Sequence, residues 1–257
     1  MKKLLLEVCA NGIHSAINAQ QAGAHRIELC ENLEGGGTTP SSGTIKLARE
    51  KLSIPIHVLI RPRSGDFIYS NEEFEIMKRD IKFCKLNGIN GVVLAILKLD
   101  GTIDSERCKE LVQVAKPMSV TFQRAFDFVK DPFASMEEII SLGCDRILTS
   151  GQKQNVLDGS ELIHQLVEQA NNRIILLAGA GINEENIVEV VKRTGTHEFH
   201  FSAKTKVQSS MHYKKEGLNL GSETADEFSY FTSNENRILK IKELAEKIFT
   251  QKNDPYL

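Results

Sequence analysis

The segment LLLEVCANGIHSAINAQQAGAHRIELC, residues 4–30, contains two short apolar runs, LLLEVCA and RIELC, on either side of an amphipathic stretch. Short runs rich in Leu, Ile and Val are typical of buried β-strands, and the stretch between them has the period of a helix. Gly23 stands where a glycine commonly ends a helix before the next strand. The segment therefore predicts a strand, a helix and a second strand.

The same unit recurs along the chain. Apolar runs begin near residues 4, 26, 55, 91, 119, 146, 173 and 198. Amphipathic stretches separate them, and no linker or change of composition divides the chain. Eight regularly spaced βα units favour a closed (β/α)8 TIM barrel over an open doubly wound sheet, so we predict an α/β fold with a single domain over residues 1–257. The long connection 204–234 after the eighth strand predicts either a lid over the barrel mouth or a flexible loop.

Composition excludes several classes of protein. The 32 Lys and Arg residues nearly balance 34 Asp and Glu residues, and no basic block suggests a nucleic-acid partner. Five widely spaced cysteines argue against a disulfide framework and for a reducing compartment. Glu7 interrupts the first apolar run too early for a signal peptide. We therefore predict a cytoplasmic protein without a membrane span, and the sequence leaves open whether it forms a homo-oligomer.

Two Glu-x-Cys pairs stand at matching points of the first two predicted strands. Alternation along a strand puts Glu7 and Cys9 on one face, and likewise Glu28 and Cys30. Active sites of TIM barrels are built at the carboxyl ends of the strands, where both pairs lie. The cysteines alone are equally explained as small buried apolar residues. Buried carboxylates, however, need a positive charge, a set of hydrogen bonds, a metal ion or a proton.

Further polar residues and glycines follow the other strands. Arginines suit a carboxylate or phosphate, and the glycines of AGAGI (residues 178–182) offer backbone N–H groups to an anion. The alternatives are structural ion pairs, helix caps and tight turns. The candidate catalytic residues are Glu7, Glu28, Arg61, Arg124 and Asp127. The candidate ligand-binding or anion-binding residues are Arg63, Ser150, Gly179, Gly181, His200 and Ser202.

These residues support the hypothesis of an enzyme that acts on a small sugar-like or phosphorylated substrate. Glu7 and Glu28 would serve as acid and base, and the arginines would hold the anionic part of the substrate. No reaction can be assigned from the residues. A protein that senses the same ligand without turnover is a third hypothesis.

Seven motifs in chain order resemble those of the copper homeostasis protein CutC family, and the resemblance covers residues 4–250. The motifs are LEVC, RIELCENLEGGGTTPS, IRPRSGDFIYS, VTFQRAFD, DRILTSGQ, AGAGI and EFHFSA. The resemblance implies a (β/α)8 barrel, a cytoplasmic location and a role in copper handling. It also implies that Cys9 and Cys30 are ligands of copper, as Cu(I).

The chemistry of these residues gives the copper hypothesis mixed support. Two thiolates suit Cu(I), although nearby Glu7 and Glu28 disfavour thiolates until a cation binds. The sequence has no exposed Met-rich or Cys-rich surface of the kind that passes copper to a partner. The family usually has His where this chain has Gln123, so a role of that imidazole would be missing or altered here.

Overall fold

Eight parallel strands form a closed barrel in which each strand pairs with the next and the eighth pairs with the first. The computed structural model describes residues 3–215, 217, 218, 220 and 226–252. The barrel strands are β1 (Leu5–Asn11), β2 (Arg26–Cys30), β3 (Ile56–Leu59), β4 (Gly91–Leu94), β5 (Ser119–Phe122), β6 (Arg146–Thr149), β7 (Ile175–Gly179) and β8 (Glu198–Phe201). The predicted (β/α)8 TIM barrel is thereby confirmed.

Helices surround the barrel. They are α1 (Ile13–Gln21), α2 (Ser42–Lys51), α3 (Asn71–Leu86), α4 (Ser105–Ala115), α5 (Pro132–Leu142), α6 (Ser160–Ala170), α7 (Ile187–Thr194) and α8 (Glu235–Lys252). Local sequence sets their ends: Ser70 and Glu73 form a capping box at the start of α3, and Gly143 follows α5 with a left-handed φ of 83°. No helix in the described part of the chain has the length and apolar character that crossing a membrane requires.

Strand side chains alternate between the helix layer and the barrel interior. Val8 of β1 and Ile27 of β2 belong to the main hydrophobic core. Cys9 and Cys30 form a separate small apolar cluster with Leu59 of β3, inside the barrel. Alternation therefore turns the two Glu-x-Cys pairs inward, because each pair occupies every second position of its strand.

The connection after β8 contains two further strands, which the sequence did not predict. The strands β9 (Lys204–Gln208) and β10 (Ser229–Ser233) pair antiparallel outside the barrel. Asn11 Nδ2, at the end of β1, donates a hydrogen bond of 2.8 Å to the carbonyl of Phe231 and holds this hairpin against the barrel. Part of the segment 204–234 lies outside the described residues, and its role as a lid stays a prediction.

Candidate metal and ligand site

The two Glu-x-Cys pairs meet inside the barrel. Parallel pairing places Cys9 of β1 beside Glu28 of β2. The Cys9 Sγ atom lies 3.6 Å from Cys30 Sγ and 3.7 Å from Glu28 Oε1. All three residues are buried, and both cysteines are free thiols. The juxtaposition that the sequence pattern predicted is therefore present.

A layer of buried charges lies below the thiols, toward the amino ends of the strands. Arg26 Nε donates to Glu7 Oε2, and Arg26 Nη2 donates to Glu198 Oε2 at 2.8 Å. Arg146 Nε reaches the same Glu198 oxygen at 2.8 Å. Burial acts to raise the pKa of Glu7, but Arg26 and then His200 outweigh it and hold that pKa well below its usual range. Glu7 is therefore a fully paired carboxylate rather than the free acid or base of the enzyme hypothesis.

His200 connects this charge layer to the thiols. Its Nδ1 lies 2.8 Å from Glu7 Oε1, and its Nε2 lies 4.0 Å from Glu28 Oε1. Burial disfavours an imidazolium, yet the charge of Glu28 and the hydrogen bonds with Cys9 and Glu7 raise the pKa of His200 well above its usual value. The surroundings of His200 therefore favour the imidazolium over the neutral ring.

The pKa values of Glu28 and Cys9 both lie above their usual values. Burial raises the pKa of Glu28 and the negative charge of Glu7 adds to that effect, whereas His200 opposes it. The hydrogen bond with Cys30, followed by burial, raises the pKa of the Cys9 thiol well above its usual value. Cys9 consequently stays protonated at neutral pH unless a cation replaces its proton.

Two groups of side chains bring their ligand atoms within 4.8 Å of one another. One group is Cys9, Glu28 and Cys30, and the other is Glu7, Glu28 and His200. The second group is the poorer metal site because Arg26 and His200 already engage both oxygens of Glu7. The first group offers two sulfur atoms and one carboxylate, a donor set that favours a soft cation.

A cavity of about 260 Å³ opens above the thiols at the carboxyl ends of the strands. Cys9 forms part of its wall. The other polar side chains of the wall are Glu28, Gln123, Arg124, His200 and Ser202. Gly181, with a φ of 76°, and Ala180 close one side after β7. Of the residues that the sequence predicted for ligand binding, the structure brings His200, Ser202 and Gly181 together here.

The two arginines after β3 are used elsewhere. Arg61 is buried and donates to the backbone carbonyls of Gly37 (2.8 Å) and Gly65 (2.6 Å). It therefore holds the loops after β2 and β3. Arg63 forms ion pairs with Glu73 at 2.7 Å and Asp66 at 2.9 Å. Neither arginine lies in the cavity wall, so the geometry does not favour the catalytic and anion-binding roles predicted for them.

Asp127 and Ser150 position Arg124. Asp127 accepts hydrogen bonds from Arg124 Nε at 2.8 Å, from Thr149 Oγ1 at 2.5 Å and from the backbone N–H of Ser150 at 3.0 Å. Ser150 Oγ accepts a bond of 2.9 Å from Arg124 Nη2. The carboxylate predicted as catalytic is therefore satisfied by the loops after β5 and β6, and it fixes the arginine that reaches the cavity.

The backbone after the barrel strands contains unfavourable conformations. Ala180 after β7 has a φ of 82°, Ala203 after β8 a φ of 46°, and Gln152 after β6 a φ of 56°. Left-handed conformations of non-glycine residues cost about 1–3 kcal/mol each and cluster at functional sites. At Gly179 packing, rather than backbone conformation, favours glycine, because a Cβ there would lie 2.8 Å from Leu148 Cδ1.

Sequence reasoning missed the buried charge layer. Alternation on β2 carries the inward face from Glu28 back to Arg26, and alternation on β8 carries it from His200 back to Glu198. The alternation therefore could have predicted that Arg26 and Glu198 face the barrel interior. His57, which formed no recognisable cluster in the sequence, lies 3.9 Å from Glu7, and burial lowers its pKa to about 3.

Comparison with known proteins agrees with this geometry. The sequence profile of the CutC family matches residues 4–205. The chain belongs to the CutC family. It is 46% identical over 249 residues to a CutC family protein of Bacteroides fragilis, covering 96% of this chain and 98% of the relative. It is 41% identical to the human copper homeostasis protein cutC homolog, covering 95% of this chain and 90% of that one.

A CutC-family barrel has also been solved as a crystal structure. The CutC protein from Streptococcus agalactiae superposes with a TM-score of 0.74 at 35% sequence identity. The match covers 77% of this chain and 98% of that chain. The fold of this CutC-family chain is thus shared with a solved relative as well as predicted by its own strand pattern.

Proposed function

We propose that this CutC-family chain binds Cu(I) through Cys9 and Cys30 and takes part in copper homeostasis. The observation that carries the proposal is the 3.6 Å separation of two buried free thiols, of which Cys9 lines a cavity. The human relative, named a copper homeostasis protein, supports the same role.

The donor set suits this metal. Thiolates are soft ligands and favour Cu(I) over the hard cations that carboxylates prefer. Two thiolates beside Glu28 would concentrate negative charge in a buried place, which opposes their ionisation in the absence of a cation. A bound cation would offset that charge, so binding and loss of the thiol protons should occur together.

The free cysteines also suit the compartment in which Cu(I) persists. All five cysteines of the chain are buried thiols, as expected for a protein kept in a reducing compartment such as the cytoplasm. We therefore place copper binding by this chain in the cytoplasm.

Anaerobic titration with Cu(I) against a chelator of known affinity tests the proposal. The wild type should bind one Cu(I) per chain, and the double variant Cys9→Ser, Cys30→Ser should lose this site. The matched control is Cys84→Ser, Cys144→Ser, which also removes two buried thiols but lies outside the cavity wall. Circular dichroism checks that both variants are folded. Undiminished binding by the Cys9, Cys30 variant would refute the proposal.

A further inference from the structure

The cavity above the thiols has a second wall that copper binding does not use. Gln123 at the end of β5 and Arg124 after it lie in this wall, and Ser202 after β8 completes it. These side chains offer neutral and cationic nitrogen donors and a hydroxyl. Such donors recognise oxygen-rich organic molecules rather than soft metal ions.

Two side chains in the cavity wall each keep a buried polar atom without a hydrogen-bond partner among the described residues: Glu28 Oε2 and Gln123 Nε2. The relative exposures of these residues are only 4% and 5%. Buried polar atoms in native proteins are nearly always paired, so unpaired atoms on two residues that line one cavity require an explanation. A carboxylate oxygen accepts hydrogen bonds, and an amide nitrogen donates them. A ligand hydroxyl can satisfy both kinds of atom.

Arg124 brings a fixed positive charge to the rim of the same cavity. Asp127 holds its Nε, and Ser150 holds its Nη2, so the guanidinium is oriented. Its Nη1 donates to no described residue, and 41% of the side chain is exposed. An oriented guanidinium with a free donor is suited to a carboxylate or phosphate oxygen.

We propose that the cavity binds a small hydroxylated organic anion, either a polyol phosphate or a hydroxycarboxylate. Gln123 and Glu28 bind its hydroxyl groups, and Arg124 binds its anionic group. The volume of about 260 Å³ restricts the ligand to a small metabolite, because pockets for drug-sized molecules measure about 300–1,000 Å³. The proposed ligand contacts Gln123 and Arg124, which copper binding does not use, and it shares Glu28 with the group of Cys9, Glu28 and Cys30.

Calorimetric titration with glycerol 3-phosphate and with glycerate tests the site and distinguishes the two sources of negative charge. At least one of the two should bind saturably to the wild type, and more tightly than inorganic phosphate or glycerol alone. Gln123→Leu and Arg124→Gln should each weaken that binding at least tenfold. Gln123→Glu replaces the donor by an acceptor in the same shape and should weaken it as well.

Two variants serve as controls. Arg63→Gln removes an arginine at the same end of the barrel that lies outside the cavity wall, and it should bind like the wild type. The Cys84→Ser, Cys144→Ser variant, whose thiols lie outside the cavity wall, should also bind the organic ligand like the wild type. The proposal is overturned if neither anion binds, if inorganic phosphate binds as tightly as either, or if the Gln123 and Arg124 variants bind undiminished.

Discussion

Glu7 and Glu28 stand in nearly identical sequence contexts, yet the barrel gives them opposite properties. Arg26 and His200 pair with Glu7 and hold its pKa below the usual range. Glu28 lacks a contacting arginine, and burial raises its pKa. The sequence identifies both as inward-facing carboxylates but does not tell them apart, because the difference lies in residues that other strands contribute. Only Glu28 reaches the cavity.

The Cys9 thiol leads to a prediction about pH. Its pKa is raised well above the usual value, so in the metal-free protein the proton remains bound throughout the neutral range. Cu(I) must displace that proton, and its apparent affinity should therefore rise with pH, by about tenfold per pH unit for each proton released. Competition titrations at pH 6, 7 and 8 measure the slope. An affinity that does not change over this range would contradict proton displacement from Cys9.

At the scale of elements, strand register assembles the buried charge layer. Parallel pairing places Glu7 of β1 beside Arg26 of β2 on one side and beside His200 of β8 on the other. Arg26 thereby reaches Glu198, which lies 172 positions away in the sequence. The sequence predicted the strands, whereas the contacts of this layer depend on how β8 closes onto β1.

Arg26→Met tests the importance of this layer for stability. Removing one partner of a buried ion pair leaves uncompensated charge, and Glu7 and Glu198 would lose their shared partner. We expect the free energy of unfolding, measured by urea denaturation, to fall by about 3–5 kcal/mol. Arg173→Met, which breaks an exposed ion pair with Glu137, is the control and should cause a much smaller loss. Equal losses in the two variants would contradict a structural role for the charge layer.

At the scale of the whole molecule, the sequence predicted the fold because strands and helices alternate at regular intervals along the chain. Each predicted strand begins within two residues of an observed one, since apolar runs and helix-ending glycines recur along the chain. Several predicted strands extend too far. Among them, the runs PIHVLIRP and SVTFQRAF continue past the ends of β3 at Leu59 and β5 at Phe122, and Arg124–Phe128 forms a 3₁₀ turn instead. The β9–β10 hairpin was missed because its strands lie outside the repeat of eight βα units.

The candidate site was predicted in part for the same physical reason. Alternation and strand order placed Cys9, Cys30 and Glu28 together, since those constraints act within neighbouring strands. Arg61 and Asp127 bond to backbone atoms of loops, and Arg63 pairs with Glu73 at the start of α3; such contacts follow no sequence period. Loop geometry therefore decided which of the predicted arginines faces the cavity, and only Arg124 does.

X-ray absorption at the copper K-edge, on wild-type protein loaded anaerobically with one Cu(I) per chain, shows which atoms bind the metal. We expect two sulfur ligands to copper, contributed by Cys9 and Cys30, and the loss of that sulfur signal in the Cys9→Ser, Cys30→Ser variant. Copper bound only by nitrogen and oxygen in the wild type, or an unchanged sulfur signal in the variant, would contradict a thiolate copper site in this barrel.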